Sequence, residues 1–238
     1  MPLNKSTGNM YDFITHTWNT IKGECPHGCS YCYMKRWGKQ LPLHFDEKEF
    51  KTDLGTGNFI FVGSSCDMFA ENVPNDWILT TFDLIDDNEN YNRIYGFKPN
   101  KYFFQTKNPE KFIKSLNLFD IICAGCIRNF VFCTTLETNR FYKDIMQSAP
   151  PIFDRWCFTS IMPFEKHITI EPIMDFDLLE FVKIIRKCNP IQVNIGADSS
   201  PKCNKLPEPP KEKILALIEE LEQFTTVVQK KNLARLLK

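Results

Sequence analysis

The sequence lacks any apolar run long enough to cross a bilayer, which takes about 18 to 20 residues. Its amino-terminal stretch, MPLNKSTGNMYDF, also lacks the apolar core of a secretory signal peptide. Because both signals are missing, we expect a cytoplasmic protein with no membrane partner. Cysteines stay reduced in that compartment, so the 10 cysteines are expected to be thiols or metal ligands and not a disulfide framework.

The sequence also lacks an excess of charge of either sign. Lys+Arg and Asp+Glu both number 29, and no long basic run offers the surface that tight binding of a phosphate backbone needs. We therefore expect no stable nucleic-acid partner. Internal repeats, low-complexity tracts and obvious linkers are missing too. With 43% hydrophobic residues, the chain is predicted to form a single domain over residues 1–238.

Short β-rich apolar runs alternate along the chain with helical or loop segments. The clearest helix is predicted at Leu178–Cys188, and another at about Pro209–Phe224 within a carboxyl-terminal helical segment of about residues 209–238. This alternation predicts an α/β fold, most simply a partial (β/α)6 TIM-like barrel with its functional residues on the loops that follow the strands. The six predicted strands are Thr15–Lys22, Asn58–Val62, Lys101–Thr106, Phe130–Thr135, His167–Ile170 and Ile191–Ile195.

Three cysteines, Cys25, Cys29 and Cys32, form a C-x3-C-x2-C loop over residues 25–32, directly after the first predicted strand. Pro26 and Gly28 let the backbone wrap a compact inorganic core. Three thiolates on a four-iron cluster leave one iron open, which is what a cluster needs in order to bind and reduce a small molecule.

A zinc site is the main alternative for this loop. Zinc would need a fourth ligand, for which His27 or a remote cysteine is available. The pair Cys123 and Cys126 is a second, weaker candidate for a metal or redox role, with ordinary thiols as the alternative.

With Tyr31 directly before its last cysteine, the loop resembles the signature of the radical S-adenosylmethionine (SAM) superfamily. This resemblance implies a [4Fe-4S] cluster and SAM as cofactors, a 5′-deoxyadenosyl radical that abstracts a hydrogen atom, and an electron donor such as flavodoxin or ferredoxin. Other segments resemble a group of small radical SAM proteins first described from phages. These segments are Thr17–Asn19, Phe61–Ser64, Pro74–Ile78, Phe104–Pro109, Ile170–Pro172 and Asn194–Ser199, the last with Gly-Ala-Asp in place of the group's Gly-Gly-Glu.

Within that group the chain is most similar to the queuine lyases, which release 7-aminomethyl-7-deazaguanine (preQ1) from the free base queuine in queuosine salvage. The resemblance thus implies a carbon-nitrogen or carbon-carbon lyase with a small free base as substrate. One alternative is a radical SAM lyase for a DNA lesion or nucleotide, because spore photoproduct lyases are similar at the cysteine loop. Another is an iron-sulfur or zinc binding module without catalysis.

The resemblance also places cofactor contacts on the loops after the strands. It implies that the segment after the second strand accepts hydrogen bonds from the SAM amino group, although Asp67 could instead cap a turn. Lys107 could pair with the SAM carboxylate or with substrate, or be a solvated side chain. The implied cofactor residues are Tyr31, Gly63, Ser64, Ser65, Asp67, Lys107, Thr135, Glu137 and Asn139.

A deazaguanine edge presents adjacent N–H donors, and a buried carboxylate that accepts both would reject bases that lack them. Glu171 and Asp198 are the candidates, with a structural ion pair as the alternative for each. Asn19 and Asn194 are expected to add contacts. Phe104 is predicted either to stack on the base or to belong to the core.

Overall fold

The computed structural model describes residues 1–118 and 127–238 and has a mixed α/β architecture. Its strands are β1 (Asn4–Lys5), β2 (His16–Trp18), β3 (Ile21–Lys22), β4 (His44–Phe45), β5 (Phe59–Val62), β6 (Lys101–Thr106), β7 (Phe130–Thr135), β8 (Glu165–Ile170), β9 (Gln192–Ile195) and β10 (Thr226–Gln229). Eight of them form one sheet in the order β1-β2-β5-β6-β7-β8-β9-β10, while β3 and β4 form a separate antiparallel ribbon. In the large sheet β1 is antiparallel to β2, and every other neighbouring pair is parallel.

Helices connect most of the parallel strands. They are α1 (Asn75–Ile94), α2 (Pro109–Leu118), α3 (Lys143–Met146), α4 (Ile152–Ile161), α5 (Leu178–Cys188), α6 (Pro201–Asn204) and α7 (Lys211–Glu222), with 3-10 helices at Tyr33–Trp37, Glu47–Lys51, Ile127–Asn129 and Lys231–Arg235. Helix α5 forms because Phe181, Val182 and Ile185 recur at helical spacing and bury one face. It ends at Asn189, which takes the left-handed conformation of a common helix cap. The predicted bounds of this helix are confirmed.

The core lies on both faces of the sheet, because successive side chains of a strand point to opposite sides. One layer joins β5, β6 and β7 to helices α1 and α2, and includes Phe82, Phe104 and Phe112. The layer on the opposite face joins the same strands to the amino-terminal segment, where the Tyr11 and Phe103 rings lie 5.2 Å apart. Burial of each such ring stabilises the fold by roughly 1.5–3 kcal/mol. The sheet is therefore held by apolar contacts on both sides.

The predicted α/β class with a parallel sheet is confirmed, and five of the six predicted strands occur. The first, predicted at Thr15–Lys22, is divided into β2 in the large sheet and β3 in the separate ribbon. The sheet does not close within residues 1–118 and 127–238, where β1 and β10 are its two edges. The prediction of a continuous helical segment at about 209–238 is wrong, since α7 ends at Glu222 and the chain then adds β10 beside β9. Thr226, Val227 and Val228 are β-branched and favour a strand.

Two further expectations from the sequence concern membrane-spanning segments and the second pair of cysteines. No helix in the described ranges is both long enough and apolar enough to span a membrane. The pair Cys123 and Cys126 falls outside the described residues.

Candidate functional site

A cavity of about 580 Å³ opens at the carboxyl ends of the parallel strands. Its volume is in the usual range for sites that bind small molecules and cofactors. The wall is built by the segments that directly follow the strands, as the sequence predicts for a sheet of this kind. These segments include Cys25–Cys32, Gly63–Asp67, Gln105–Lys107, Thr135, Glu171–Pro172, Ala197–Ser199 and Lys230, with the amino-terminal Thr7–Tyr11 opposite the cysteines.

The cysteine loop is a chain of tight turns. The N–H of Gly28 donates to the carbonyl of Cys25, that of Cys32 to Cys29, and that of Lys35 to Cys32, at 3.1, 3.2 and 3.0 Å. Gly28 takes a positive φ of 65°, which permits the first turn without the strain that a side chain would add. All three cysteines line the cavity as a result.

A fourth thiol lies at the same wall. Cys66, in the segment after β5, forms a hydrogen bond with Cys25, and this contact lowers the pKa of Cys25 to about 6 with help from His27 and against the effect of burial. Burial raises the pKa of Cys29. Sequence reasoning missed Cys66, although it lies inside the segment already assigned to the cofactor.

The thiols are not arranged as ligands of a single ion. In the described parts of the chain, no three side chains of the types His, Cys, Asp and Glu form a group that could hold one metal ion. A tetrahedral zinc site requires its ligands to converge on one atom, whereas the thiolates of a four-iron cluster each bind a different iron. Three thiols spread along one wall provide a donor set that fits a cluster.

Asp67 holds the cysteine loop to the ends of β5 and β6. Its Oδ2 lies 2.8 Å from His27 Nε2 and accepts hydrogen bonds from the Thr106 hydroxyl and the Lys107 N–H at 3.0 and 2.8 Å. Its Oδ1 accepts the N–H of Phe69. Burial alone would raise the pKa of Asp67, but His27 and these donors hold it below its usual value. With its oxygens occupied, Asp67 fits the role of a turn cap better than that of an ammonium partner.

Asn19 lies outside the cavity wall and orients the segment that follows β5. Its Oδ1 accepts hydrogen bonds from the Ser64 hydroxyl at 3.1 Å and the Ser65 N–H at 2.9 Å. Gly63 takes a positive φ of 77°, and a Cβ there would lie 3.2 Å from the carbonyl of Cys66. Gly63, Ser64 and Ser65 line the cavity, while Asn19 positions them and does not itself line it.

A buried charged group lies directly beneath the cysteine loop. Glu137, fully buried, accepts hydrogen bonds from Tyr31 and from Arg155, the latter at 2.8 Å, and its Oε1 lies 3.6 Å from Lys107 Nζ. Burial would raise the pKa of Glu137, but Arg155 and Lys107 hold it below its usual value. Asp67 also acts on Lys107, so two carboxylates balance the two cations beneath the cysteine loop.

The roles within this group differ from those predicted. Lys107 lines the cavity, whereas Glu137 does not and acts through Lys107 and Tyr31. Arg155 was not predicted, since it lies in α4 outside any motif, and its Nη2 is buried without a hydrogen-bond partner among the described residues. Thr135 lines the cavity and accepts a hydrogen bond from Gln105. Asn139 does not line it, because its side chain bonds the backbone of Asp177 at the start of α5.

Glu171 lies at the opposite end of the cavity in a cluster that the sequence does not reveal. Its Oε2 is 2.5 Å from Lys230 Nζ, and its Oε1 accepts hydrogen bonds from Asn232 and Asn9 at 2.8 and 3.0 Å. Lys230 also lies 4.3 Å from the centre of the Tyr11 ring. We call Glu171, Lys230, Asn232 and Asn9 the carboxylate clasp. Three donors leave Glu171 little capacity for a ligand.

Asp198 differs from Glu171 in having a free oxygen. Its Oδ1 accepts hydrogen bonds from the Ser200 N–H and the Asn204 side chain at 2.9 and 2.8 Å. Its Oδ2 is buried and has no hydrogen-bond partner among the described residues. Because an unpaired buried carboxylate oxygen is costly, this atom marks a place where a donor belongs. Asp198 lines the cavity.

The remaining predicted substrate residues lie behind the wall. Asn194 is fully buried on β9, where its Oδ1 accepts a hydrogen bond from Gln192, and Phe104 lies in the core with edge contacts to Phe69 and Phe82. Neither lines the cavity. Phe104 points to the helix-covered face of the sheet, so it packs in the core and does not stack on a ligand.

No family model matches the chain, and no curated protein matches it. Among solved structures, its fold is similar to that of a point mutant of a spore photoproduct lyase, with a TM-score of 0.61 and 9% sequence identity over 96% of this chain and 80% of that one. The likeness is one of fold, a mixed α/β architecture with a mostly parallel sheet.

Proposed function

We propose that the chain is a radical SAM lyase that acts on a small free base of the deazaguanine type, with queuine as the first candidate and preQ1 as its product. One observation carries the proposal. The three cysteines of the C-x3-C-x2-C loop share the wall of one cavity, at the strand ends of a fold that is similar to a radical SAM enzyme. The spacing of the cysteines and their placement support the same chemistry.

In this proposal Cys25, Cys29 and Cys32 hold a [4Fe-4S] cluster. The lowered pKa of Cys25 favours its thiolate form, which is the form that binds iron. Burial raises the pKa of Cys29, and the positive charge of Lys107 opposes this effect and so favours the thiolate. When bound, the cluster and SAM supply a carbon radical that abstracts a hydrogen atom from the substrate. The chain's own residues bind, orient and shield these groups from water.

Lys107 is the residue best placed to bind the carboxylate of SAM. It lines the cavity, and its only ion-pair partner among the described residues is Glu137 at 3.6 Å, longer than a direct hydrogen bond. Tyr31 and Glu137 position its side chain, because Lys107 Nζ lies 5.5 Å from the centre of the Tyr31 ring as well as near Glu137. Gly63, Ser64 and Ser65 form the adjoining wall and are assigned to the SAM amino group.

Asp198 is the residue best placed to recognise the base. Its Oδ2 is buried and unpaired, so a deazaguanine N–H that reaches it after a small movement of the wall breaks no hydrogen bond of this oxygen. Glu171, in contrast, would have to exchange a donor of the clasp for a donor of the substrate. We therefore assign the base edge to Asp198 and assign Glu171 to positioning.

Two other functions are each favoured by one observation. The likeness to a spore photoproduct lyase favours a lyase for a lesion in DNA, which the balanced charge of the chain opposes. The contact between Cys66 and Cys25 favours a closed four-thiol iron-sulfur site without catalysis.

Anaerobic reconstitution tests the proposal. We expect about four irons and four sulfides per chain and cleavage of SAM after reduction, and mass spectrometry should find preQ1 when queuine is added. Stoichiometric zinc without SAM cleavage would overturn the radical function. If queuine with SAM leaves the melting temperature unchanged while an oligonucleotide binds with a steep salt dependence, the DNA lesion replaces the free base as substrate.

A further inference from the structure

The segment after Cys32 forms an exposed basic surface at the rim of the cavity. Residues 33–41, with the sequence YMKRWGKQL, contain three cations and no carboxylate, although the whole chain has a net charge of zero. We call them the cationic strip. Its basic side chains Lys35, Arg36 and Lys39 are exposed and also contribute to the outer wall of the cavity.

The charges of the strip are not neutralised by the rest of the protein. In the described ranges, Lys35, Arg36 and Lys39 form no ion pair, and Lys35 and Arg36 donate only to backbone carbonyls at 3.3 Å. The nearby Lys22 shows the contrast, since it pairs with Asp46 and Glu49 at 2.8 and 2.7 Å. The strip therefore presents a local field that a negative partner would feel.

The strip also has an apolar centre. Trp37 is 75% exposed and Leu41 is 69% exposed, so both keep large apolar surfaces in contact with water. An exposed tryptophan surrounded by cations is a typical composition for the centre and rim of a protein interface.

The strip is attached rigidly to the cysteine loop. The N–H of Lys35 donates to the carbonyl of Cys32 at 3.0 Å, Lys35 Nζ reaches the carbonyl of Gly28, and the Tyr33 hydroxyl donates to the carbonyl of Ser64 at 2.6 Å. A partner bound to the strip would thus sit next to the proposed cluster at a fixed distance from it.

We propose that the cationic strip is the docking surface for the protein's reductant, a small acidic one-electron carrier protein. This proposal rests on the proposed function, because a cluster that cleaves SAM must receive electrons. One electron leaves the reduced flavin or iron-sulfur centre of the carrier and enters the cluster, with no bond made or broken. Small, electrostatically steered interfaces are typical of such redox encounters.

A charge-reversal variant tests the docking surface with a binding readout. Calorimetry should measure a flavodoxin binding to both the metal-free and the reconstituted protein, more weakly as salt is raised. In Lys35→Glu/Arg36→Glu/Lys39→Glu, we expect binding at least about 10-fold weaker at low salt and no longer weakened as salt is raised, because salt screens the new repulsion. Reduction by flavodoxin hydroquinone should slow by a similar factor, while reduction by dithionite, which needs no docking, stays unchanged.

The matched control is Lys98→Glu/Lys183→Glu/Lys211→Glu, which changes the charge equally at exposed lysines outside the cavity wall. It should bind flavodoxin like the natural chain. Trp37→Ala should weaken binding without changing its salt dependence. Circular dichroism checks that each variant is folded.

Equal binding by the strip variant and the natural chain would overturn the docking proposal, as would an equal loss in the control. If the strip variant loses affinity for a single-stranded oligonucleotide but still accepts electrons from flavodoxin, the strip is a nucleic-acid surface instead. If dithionite itself produces no SAM cleavage in the natural chain, the proposed function fails, whatever the result for docking.

Discussion

The two ends of the cavity differ in charge and are built in different ways. At the thiol end, Lys107 and Arg155 are balanced by Glu137 and Asp67. At the carboxylate end, Glu171 and Asp198 line the wall with Lys230, and the surplus is negative. Lys107 lines the thiol end and can take an anionic group, whereas the surplus carboxylate at the other end favours hydrogen-bond donors. The difference predicts the orientation of the ligands.

The largest effect is expected when a cysteine thiol is removed from the thiol end. Cys29→Ala should lose the cluster and all detectable SAM cleavage, because two thiolates cannot hold a four-iron cluster that needs at least three. Iron analysis and quantification of 5′-deoxyadenosine measure the result. Cys203→Ala, at an exposed free cysteine, is the matched control and should retain both. Full cleavage by the Cys29 variant would remove the loop from the cluster site.

Glu137 supplies the counter-charge for the two buried cations at the thiol end. Glu137→Gln leaves Arg155 and Lys107 buried without their counter-charge, so the free energy of unfolding in urea should fall by about 3–5 kcal/mol. Since Arg155 and Lys107 lower the pKa of Glu137, its stabilising effect is complete above the usual carboxyl pKa of about 4.3 and is lost as the pH falls through the lower, folded-state pKa.

The variant should therefore differ most from the natural chain above about pH 5 and converge with it in acid. Glu137→Gln/Arg155→Met is the control and should recover part of the loss, because it removes one of the unpaired charges. An unfolding free energy unchanged at neutral pH would show that the buried group does not stabilise the fold.

At the carboxylate end, substitutions of the two acidic residues are predicted to differ in their effect on substrate turnover. Asp198→Asn should reduce substrate turnover by roughly 100-fold while SAM cleavage continues, because its unpaired oxygen is the acceptor assigned to the base. Glu171→Gln should have a smaller effect on turnover, through release of Lys230. Product analysis by mass spectrometry separates the two reactions. Equal effects of the two substitutions would remove the distinction between recognition and positioning.

The smallest effect is expected at Cys66. If only three thiolates bind iron, Cys66→Ala should change iron content and SAM cleavage less than about threefold, because the cluster keeps all of its ligands. A variant that loses iron and SAM cleavage together would favour the closed four-thiol site. Cys133→Ala, at a buried thiol outside the cavity wall, controls for the loss of a buried sulfur.

The sequence indicated residues at both ends of the cavity, but it revealed the arrangement of the thiol end more fully. Cys25, Cys29 and Cys32 lie within one short loop, so their spacing alone indicates their role. Glu171 was also a candidate, but its partners Asn9 and Asn232 could not be predicted, because they come from distant parts of the chain and meet it only after the sheet forms.

The fold shows the same division between local and distant signals. Helix α5 matched its predicted bounds because its apolar periodicity is a local property. Strand β10 was missed because the apolar spacing of α7 suggested that the helical segment continues, although the β-branched residues at 226–228 favour a strand and the edge of β9 provides its partner. Arg155 was missed because an arginine in a helix is typically exposed, and burial beside Glu137 depends on packing.

The carboxylate clasp has a mechanical consequence for the open sheet. Asn9 follows the edge strand β1, Asn232 follows the other edge strand β10, and both bind the same oxygen of Glu171. Glu171 thus connects the two edges of the open sheet, so a structural change at one edge affects the other. Amide hydrogens near Asn9 should exchange faster when Asn232 is replaced by alanine, although the two residues belong to opposite ends of the chain.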